Sequence, residues 1–320
     1  MMDKYARQQN IAAQNATIED FSEVRELGSG NFGKVTLVKY KNDAKKLYAL
    51  KEVNVNIDYH CYWELYEREL KLMHASDSRF VVKLYYYFWN RPKCIAHLVM
   101  QYYPAGDFSS LLSFTGPFDS NEKALKFYAA NMVLAIQFLH TRNVIHRDVK
   151  PENFLGGEDR YLAIADFGLG VLLKEGHTEI AIAGTNEYMA PEIHNGSEYT
   201  QTVDWWSLGV TLVEIATGKC MFDGDSEEAI KENILHKDIV FPKEMSSPLK
   251  IFLNGLLTRD PNLRLGAEGA KQVREHEFFK GVDWQKLHNH KREAPYLPKF
   301  DKEGKLMHYW DTNKGEPVYI

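Results

Sequence analysis

The chain changes its hydrophobic pattern about a third of the way along. In the first part, apolar and polar positions alternate. Residues 23–27 and 34–40 read as strands on either side of a glycine-rich turn, and 48–53 alternates again after a charged connector at 41–46. Residues 62–74 carry apolar groups at helical spacing with Glu, Lys and Arg between them, which predicts a helix. Residues 81–89 and 95–102 read as two more strands. A small sheet with one helix is therefore expected. Near residue 104 the composition shifts, and Pro104-Ala105-Gly106-Asp107 reads as a turn or hinge. Helices dominate beyond it. Residues 120–141 combine Asn/Ser capping signals with a long apolar face, and 204–217 are apolar almost all round, as a buried helix would be. Residues 1–20 are polar and Gln/Asn/Ala-rich, and predict a short helix or a mobile arm. No internal repeat or low-complexity tract is visible. The expected place for a ligand is a cleft between the two halves.

Composition narrows the class rather than the chemistry. The chain has 320 residues, 44% apolar and 26% charged, with a net charge of -5. That is an ordinary globular mix with no field to recruit nucleic acid or acidic membranes. Cys61, Cys94 and Cys220 are far apart, which argues against zinc and a disulfide framework and for a reducing compartment. No apolar run approaches a membrane span, and the first residues have neither a signal-peptide core nor a glycine after the initiator methionine. A soluble intracellular protein is expected, with the cytoplasm ahead of the nucleus.

The candidate chemistry is concentrated in residues 146–153, His-Arg-Asp-Val-Lys-Pro-Glu-Asn, followed by Asp166-Phe167-Gly168. Asp148 can accept the proton of a hydroxyl nucleophile and Lys150 can neutralise a phosphate. Asn153 and Asp166 offer the oxygen ligands that Mg²⁺ prefers. Upstream, Gly28-Ser29-Gly30-Asn31-Phe32-Gly33-Lys34-Val35 is a glycine loop between two strands, where backbone N–H groups can approach phosphates. By itself such a loop is better read as a structural hairpin. The strand that follows, rather than a helix, excludes a dinucleotide fingerprint. Lys51 on the next strand can hold phosphates if a carboxylate positions it. Glu69 is preferred over Glu67 because Leu72 and Met73 share its helix face, whereas Glu67 has Lys71 at +4. Any one of these polar residues, taken alone, is better read as a solvated loop group or a cap. Their joint spacing is not.

Together these motifs resemble a eukaryotic protein kinase over residues 21–280. Gly184-Thr185-Asn186-Glu187-Tyr188-Met189-Ala190-Pro191-Glu192 resembles the end of an activation segment, with Arg264 as the partner of Glu192. Asp204-Trp205-Trp206 and the stretch Glu293-Ala294-Pro295-Tyr296-Leu297-Pro298-Lys299-Phe300 are similar to the AGC group, the relatives of protein kinases A, B and C. The resemblance implies an α+β, bilobal fold: a small antiparallel sheet lobe with one main helix (21–100), a hinge (101–107) and a large, mostly helical lobe (108–280). An arm at 1–20 and an AGC-like tail at 281–320 flank it. It implies ATP and Mg²⁺ as cofactors and protein Ser/Thr hydroxyls as substrates, with a monomeric catalytic domain open to a regulatory partner. Gly28, Gly30, Phe32 and Gly33 would cover the phosphates. Val35, Ala49 and Leu155 would enclose the adenine, with ordinary core packing as their plainer reading. Backbone groups of Gln101 and Tyr103, after the bulky Met100, would bind the adenine edge, and Asp107 the ribose. Lys51 and Glu69 would act as a pair, Thr185 would support Asp148 and Lys150, and Asn153 and Asp166 would hold the metal. Lys150 followed by Pro151-Glu152 resembles Ser/Thr rather than tyrosine kinases. Asp107, Glu152 and Glu232 align with acidic positions that bind arginines upstream of the phosphosite; an exposed carboxylate is otherwise only a solvated group.

Two features depart from the pattern. The usual phosphorylatable threonine is Ala181, and the basic residues that would hold its phosphate, apart from Arg147, align with Leu65 and Val171. Thr178 is the alternative phosphosite, and Glu179 offers part of a phosphate's charge. The chain ends Glu316-Pro317-Val318-Tyr319-Ile320, without the Phe-x-x-Phe ending of family tails; Tyr309-Trp310 are candidate tail aromatics near the nucleotide. The rival readings are a pseudokinase scaffold, against which every catalytic position is filled, and a small-molecule kinase of related fold. Against the latter stand Ala190-Pro191-Glu192 and the tail.

Overall fold

The computed structural model describes residues 16–30, 33–54, 78–90, 93–119, 121–174, 176–300, 306–311, 314 and 316–318. The chain divides into two compact units, one ending at Tyr103 and the other beginning at Pro104. The expected helix at 62–74, with Leu65, Glu67 and Glu69, lies outside the described residues, as do the 1–15 stretch, Phe32 and Cys61.

The first unit is a five-stranded antiparallel sheet in the order β1-β2-β3-β5-β4. Its strands are β1 (Phe21–Gly30), β2 (Gly33–Tyr40), β3 (Asp43–Asn54), β4 (Leu84–Asn90) and β5 (Ile95–Gln101). The alternation of its residues sorts two faces. Phe21, Val38, Tyr48, Leu50 and Val99 form one buried cluster, with Tyr40, Tyr85, Tyr86 and Phe88 packed around it. Edge-on ring pairs such as Phe21–Tyr48 and Tyr48–Tyr85 tie β1, β3 and β4 together. The charged stretch at 41–46 is not a connector. Tyr40 pairs with Asp43 across a two-residue turn, and β3 runs on from Asp43, with Asp43 and Lys46 exposed as suits a strand beyond the buried cluster.

The second unit is mainly helical. α1 (Phe108–Thr115) is capped by Asp107, and α2 (Glu122–His140) by Asn121, whose side chain accepts the Ala124 N–H. Two short antiparallel ladders follow, β6 (Val144–Ile145) with β9 (Val171–Leu172) and β7 (Phe154–Gly156) with β8 (Leu162–Ile164). The 146–153 and 165–170 segments thus become neighbouring loops. α3 (Pro191–His194) precedes α4 (Thr202–Thr217), which is buried along nearly its whole length, with Trp205 and Trp206 inside. Next come α5 (Glu227–His236), α6 (Ser247–Leu256), α7 (Ala270–Arg274) and α8 (Trp284–His288). The last residues form a sheet that the sequence pattern did not suggest: β10 (Tyr296–Phe300), β11 (Leu306–Asp311) and β12 (Glu316–Val318). It is moored by Tyr296, whose ring lies 5.4 Å from Phe118 and whose hydroxyl accepts from Asn121. Among the described residues no helix is long and apolar enough to cross a membrane.

Two buried ionic contacts organise this unit. Asp204, fully buried at the start of α4, accepts the main-chain N–H groups of His146 (3.0 Å) and Arg147 (2.9 Å) and meets His140 Nε2 at 2.8 Å. Glu192 binds Arg264 bidentately, at 2.6 and 2.9 Å, with the guanidinium at 0% exposure.

Removing one partner of such a pair leaves the other charged and dry. Glu192→Gln is expected to lower the unfolding free energy by about 3–5 kcal/mol, read as a lower denaturation midpoint; an unchanged midpoint would mean that Arg264 finds other compensation. Burial by itself raises the Asp204 carboxyl, but the hydrogen bond and charge of His140 and the main-chain N–H of His146 outweigh it, so it sits below its ordinary value. Its contribution is therefore complete above the unfolded carboxylate value of about 3.9 and disappears as pH falls through the lower folded value. Asp204→Asn is expected to flatten the acid limb of stability against pH, measured as urea midpoints; a limb as steep as that of the native chain would count against it.

Candidate active site

The loop between β6 and β7 gathers the polar residues that the sequence picks out. Asp148 and Asn153 are each 6% exposed. Thr185 donates its hydroxyl to Asp148 Oδ1 at 2.6 Å and accepts from Lys150 Nζ at 2.6 Å, while Lys150 Nζ lies 2.9 Å from Asp148 Oδ2. Asn153 donates its amide N–H to Asp148 at both the main-chain carbonyl (2.6 Å) and Oδ2 (2.9 Å). Asp148 is thus held from three sides, next to a cation that is 21% exposed. Thr185 can come this close because Gly184 precedes it. Gly184 has φ +142, and a Cβ there would stand 2.8 Å from the Arg147 carbonyl oxygen.

The neighbouring loop is bound to the first through His146. Its Nε2 donates to the Ala165 carbonyl at 2.9 Å, and its Nδ1 accepts the Asp148 N–H at 3.2 Å, which fixes the tautomer. Its ring packs edge-on against buried Phe167. Asp166 and Arg147 adopt left-handed backbone with φ 59 and 68. Non-glycine residues hold such conformations only where the surroundings impose them. Asn153 and Asp166 fit a hard cation. The Asn153 nitrogen is committed to Asp148, which leaves its amide oxygen as the acceptor, and Asp166 adds a carboxylate.

In the first unit, register rather than spacing groups the candidates. Val35 pairs with Lys51 and Leu37 with Ala49, and Ala49 pairs in turn with Met100. Val35, Ala49, Lys51 and Met100 therefore share one face of the sheet, opposite the aromatic cluster. Lys51 is 7% exposed. Gly28 and Gly30 sit on β1, opposite Val35 and Gly33. Gly33 has a packing reason of its own: at φ +128, a Cβ would fall 1.7 Å from the Glu52 carbonyl oxygen. The Gln101 N–H is engaged by the Lys83 carbonyl at 2.9 Å. Tyr103, at the end of this unit, is buried.

In the second unit, half-buried Leu155 lies on β7 and bridges to Asp107. Asp107 does what a plain cap does, accepting the Ser110 N–H at 2.7 Å. Glu232 is exposed on α5 beside His236, 3.7 Å away. Two further carboxylates escaped the sequence reading. Burial raises the Glu214 carboxyl; Tyr188, which donates its hydroxyl to it, opposes this, while the charges of Glu152 and Glu187 add to the rise. Glu152, Glu187 and Glu214 thus share one negative field, formed by α4, the loop after Thr185 and the loop before β7. No spacing rule links these positions. Val171, which stands where a basic residue would be needed to hold a loop phosphate, is core on β9.

A family model for the protein kinase domain matches residues 21–279. Among curated relatives, a probable serine/threonine-protein kinase of Dictyostelium discoideum is 36% identical over 85% of this chain and 59% of its own length. Protein kinase 2 of the same organism is 34% identical over 96% of this chain and 62% of its own. The human RAC-beta serine/threonine-protein kinase is 34% identical over 97% and 64%. The chain thus spans about three fifths of the length of these relatives. It belongs to the protein kinase domain family.

Proposed function

We propose that the chain transfers the γ-phosphoryl group of ATP to Ser or Thr hydroxyls of proteins that carry basic residues near the acceptor. The observation that carries this reading is the closed set of contacts among Asp148, Lys150, Thr185 and Asn153. Asp148, held from three sides, is the group to accept a hydrogen bond from the incoming hydroxyl and take its proton. Lys150 steadies the transferred group, and Thr185 keeps acid and cation in register. Asn153 and Asp166 would hold Mg²⁺, which when bound offsets charge on the phosphates. Lys51, with Glu69 as its intended partner, Val35, Ala49, Met100, Gln101, Tyr103, Asp107 and Leu155 are assigned to the nucleotide. Gly28, Gly30, Phe32 and Gly33 are assigned to its phosphates. Positioning and preorganised charge do most of the work in such a transfer.

The basic preference rests on the field of Glu152, Glu187 and Glu214, with Asp107 and Glu232 as the further acidic positions assigned to it. Burial and like charge make a carboxylate such as Glu214 a good partner for an arginine brought by a peptide.

In an assay with radiolabelled ATP and basic Ser/Thr peptides, Asp166→Ala is expected to abolish incorporation. Asp148→Asn should lower kcat by about 10²- to 10⁴-fold; activity in Asp166→Ala equal to the native chain would refute the assignment. Glu214→Gln is expected to raise KM for arginine-containing peptides while leaving KM for ATP unchanged. A peptide-array profile without basic preference would remove that part of the reading.

A further inference from the structure

Arg147 is 3% exposed, so its charge must be answered inside the protein. Its Nε donates to the Leu169 carbonyl at 2.5 Å, just after Asp166-Phe167-Gly168. One terminal nitrogen donates to the Tyr199 hydroxyl at 3.0 Å and lies 3.8 Å from Glu179 Oε2. The Glu179 carboxylate is itself fixed: its Oε1 accepts the N–H groups of Ile180 (2.9 Å) and Ala181 (3.1 Å). Its main chain exchanges two hydrogen bonds with Tyr199, at 3.0 and 2.8 Å. Burial pushes the Tyr199 phenol above its ordinary value despite Arg147, so it keeps its proton and donates to the Ala181 carbonyl at 2.6 Å. One guanidinium thus holds both arms of the 166–185 segment, through Leu169 on one side and Glu179 with Tyr199 on the other.

The hydroxyls of the 166–192 segment are Thr178, Thr185 and Tyr188. Thr185 belongs to the Asp148 contacts, and Tyr188 donates to Glu214. Thr178 donates to Glu198 at 2.9 Å, so a phosphate there would face a carboxylate instead of Arg147. The anion that answers Arg147 is encoded in the chain.

We propose that Glu179 and Tyr199 are positioning residues that hold this segment in its working shape in place of a phosphate, so that transfer needs no modification of the segment itself. This rests on the kinase reading above, because the working shape is the one that presents Thr185 to Asp148.

The test uses the full chain, stripped by a protein phosphatase and checked by intact mass, with radiolabelled ATP and a basic Ser/Thr peptide. The stripped native chain should keep its full rate, and Thr178→Val should match it. Glu179→Gln and Tyr199→Phe should each lower kcat, expressed per nucleotide-binding site counted by titration so that an unfolded fraction does not enter, about 10- to 100-fold while KM for ATP moves less than about twofold. Tryptic cleavage after Lys174, which is exposed in the segment, should be faster in both variants. Loss of turnover on phosphatase treatment, or a native kcat in Glu179→Gln, overturns the proposal. If a variant fails to fold, the stripped native chain and Thr178→Val still decide it. If the native chain transfers no phosphate before or after stripping, the kinase reading has failed instead, and cleavage at Lys174 alone tests the network: equal rates in native and variant chains overturn it.

Discussion

The buried carboxylate of Asp204 is the constraint on which the site depends. A charge with no access to water must be surrounded by donors, and it takes them from His140 at the end of α2 and from the main chain at His146 and Arg147. Those bonds fix where the loop after β6 begins. Arg147 can then keep a left-handed backbone and send its side chain to Leu169 and Tyr199, while Asp148 is turned toward Thr185 and Lys150. Core and site are not separate layers here, because the ion that organises the helices also sets the geometry of the proposed proton acceptor.

A second buried pair, Glu192 with Arg264, acts at the far end of the same segment. It binds the residues after Ala190-Pro191 to the loop ahead of α7 and, through the Thr202 carbonyl, to the start of α4. The stretch from Asp166 to Glu192 is therefore tied to the core at its start through His146 and Arg147, in its middle through Glu179 and Tyr199, and at its end through Arg264. Chain without regular secondary structure holds a defined shape only where its polar groups are answered in this way. The same ties bring Gly184 close enough to the Arg147 carbonyl for Thr185 to reach Asp148.

Much of the fold was legible because its signals are local. The alternation at 34–40 and 95–102 and the apolar run at 204–217 became β2, β5 and α4 within a few residues of their expected limits. The lysines at 41–46 misled because charge reads as loop, whereas β3 extends past the buried cluster and a strand there has no core to cover. The terminal sheet of β10 to β12 was missed because its strands pair with one another and its mooring, Tyr296 on Asn121 and Phe118, joins residues far apart in sequence. In the site, Asp148, Lys150, Asn153 and Asp166 were legible because their chemistry demands fixed spacing within one loop pair. Glu187 and Glu214 were not, since like charges converge on one field only after α4 is packed.

By itself, the sequence determined which side chains could do the chemistry, and that Ala181 left Arg147 without a modifiable residue at the customary place. Those are statements about residue type and short-range order, which the chain carries in its covalent structure. Only the tertiary structure decided who answers Arg147, that Thr178 faces Glu198 instead, and that Val35, Ala49, Lys51 and Met100 share one sheet face. Each of these depends on register or on burial. Both are properties of pairs of segments, so no single stretch of sequence contains them.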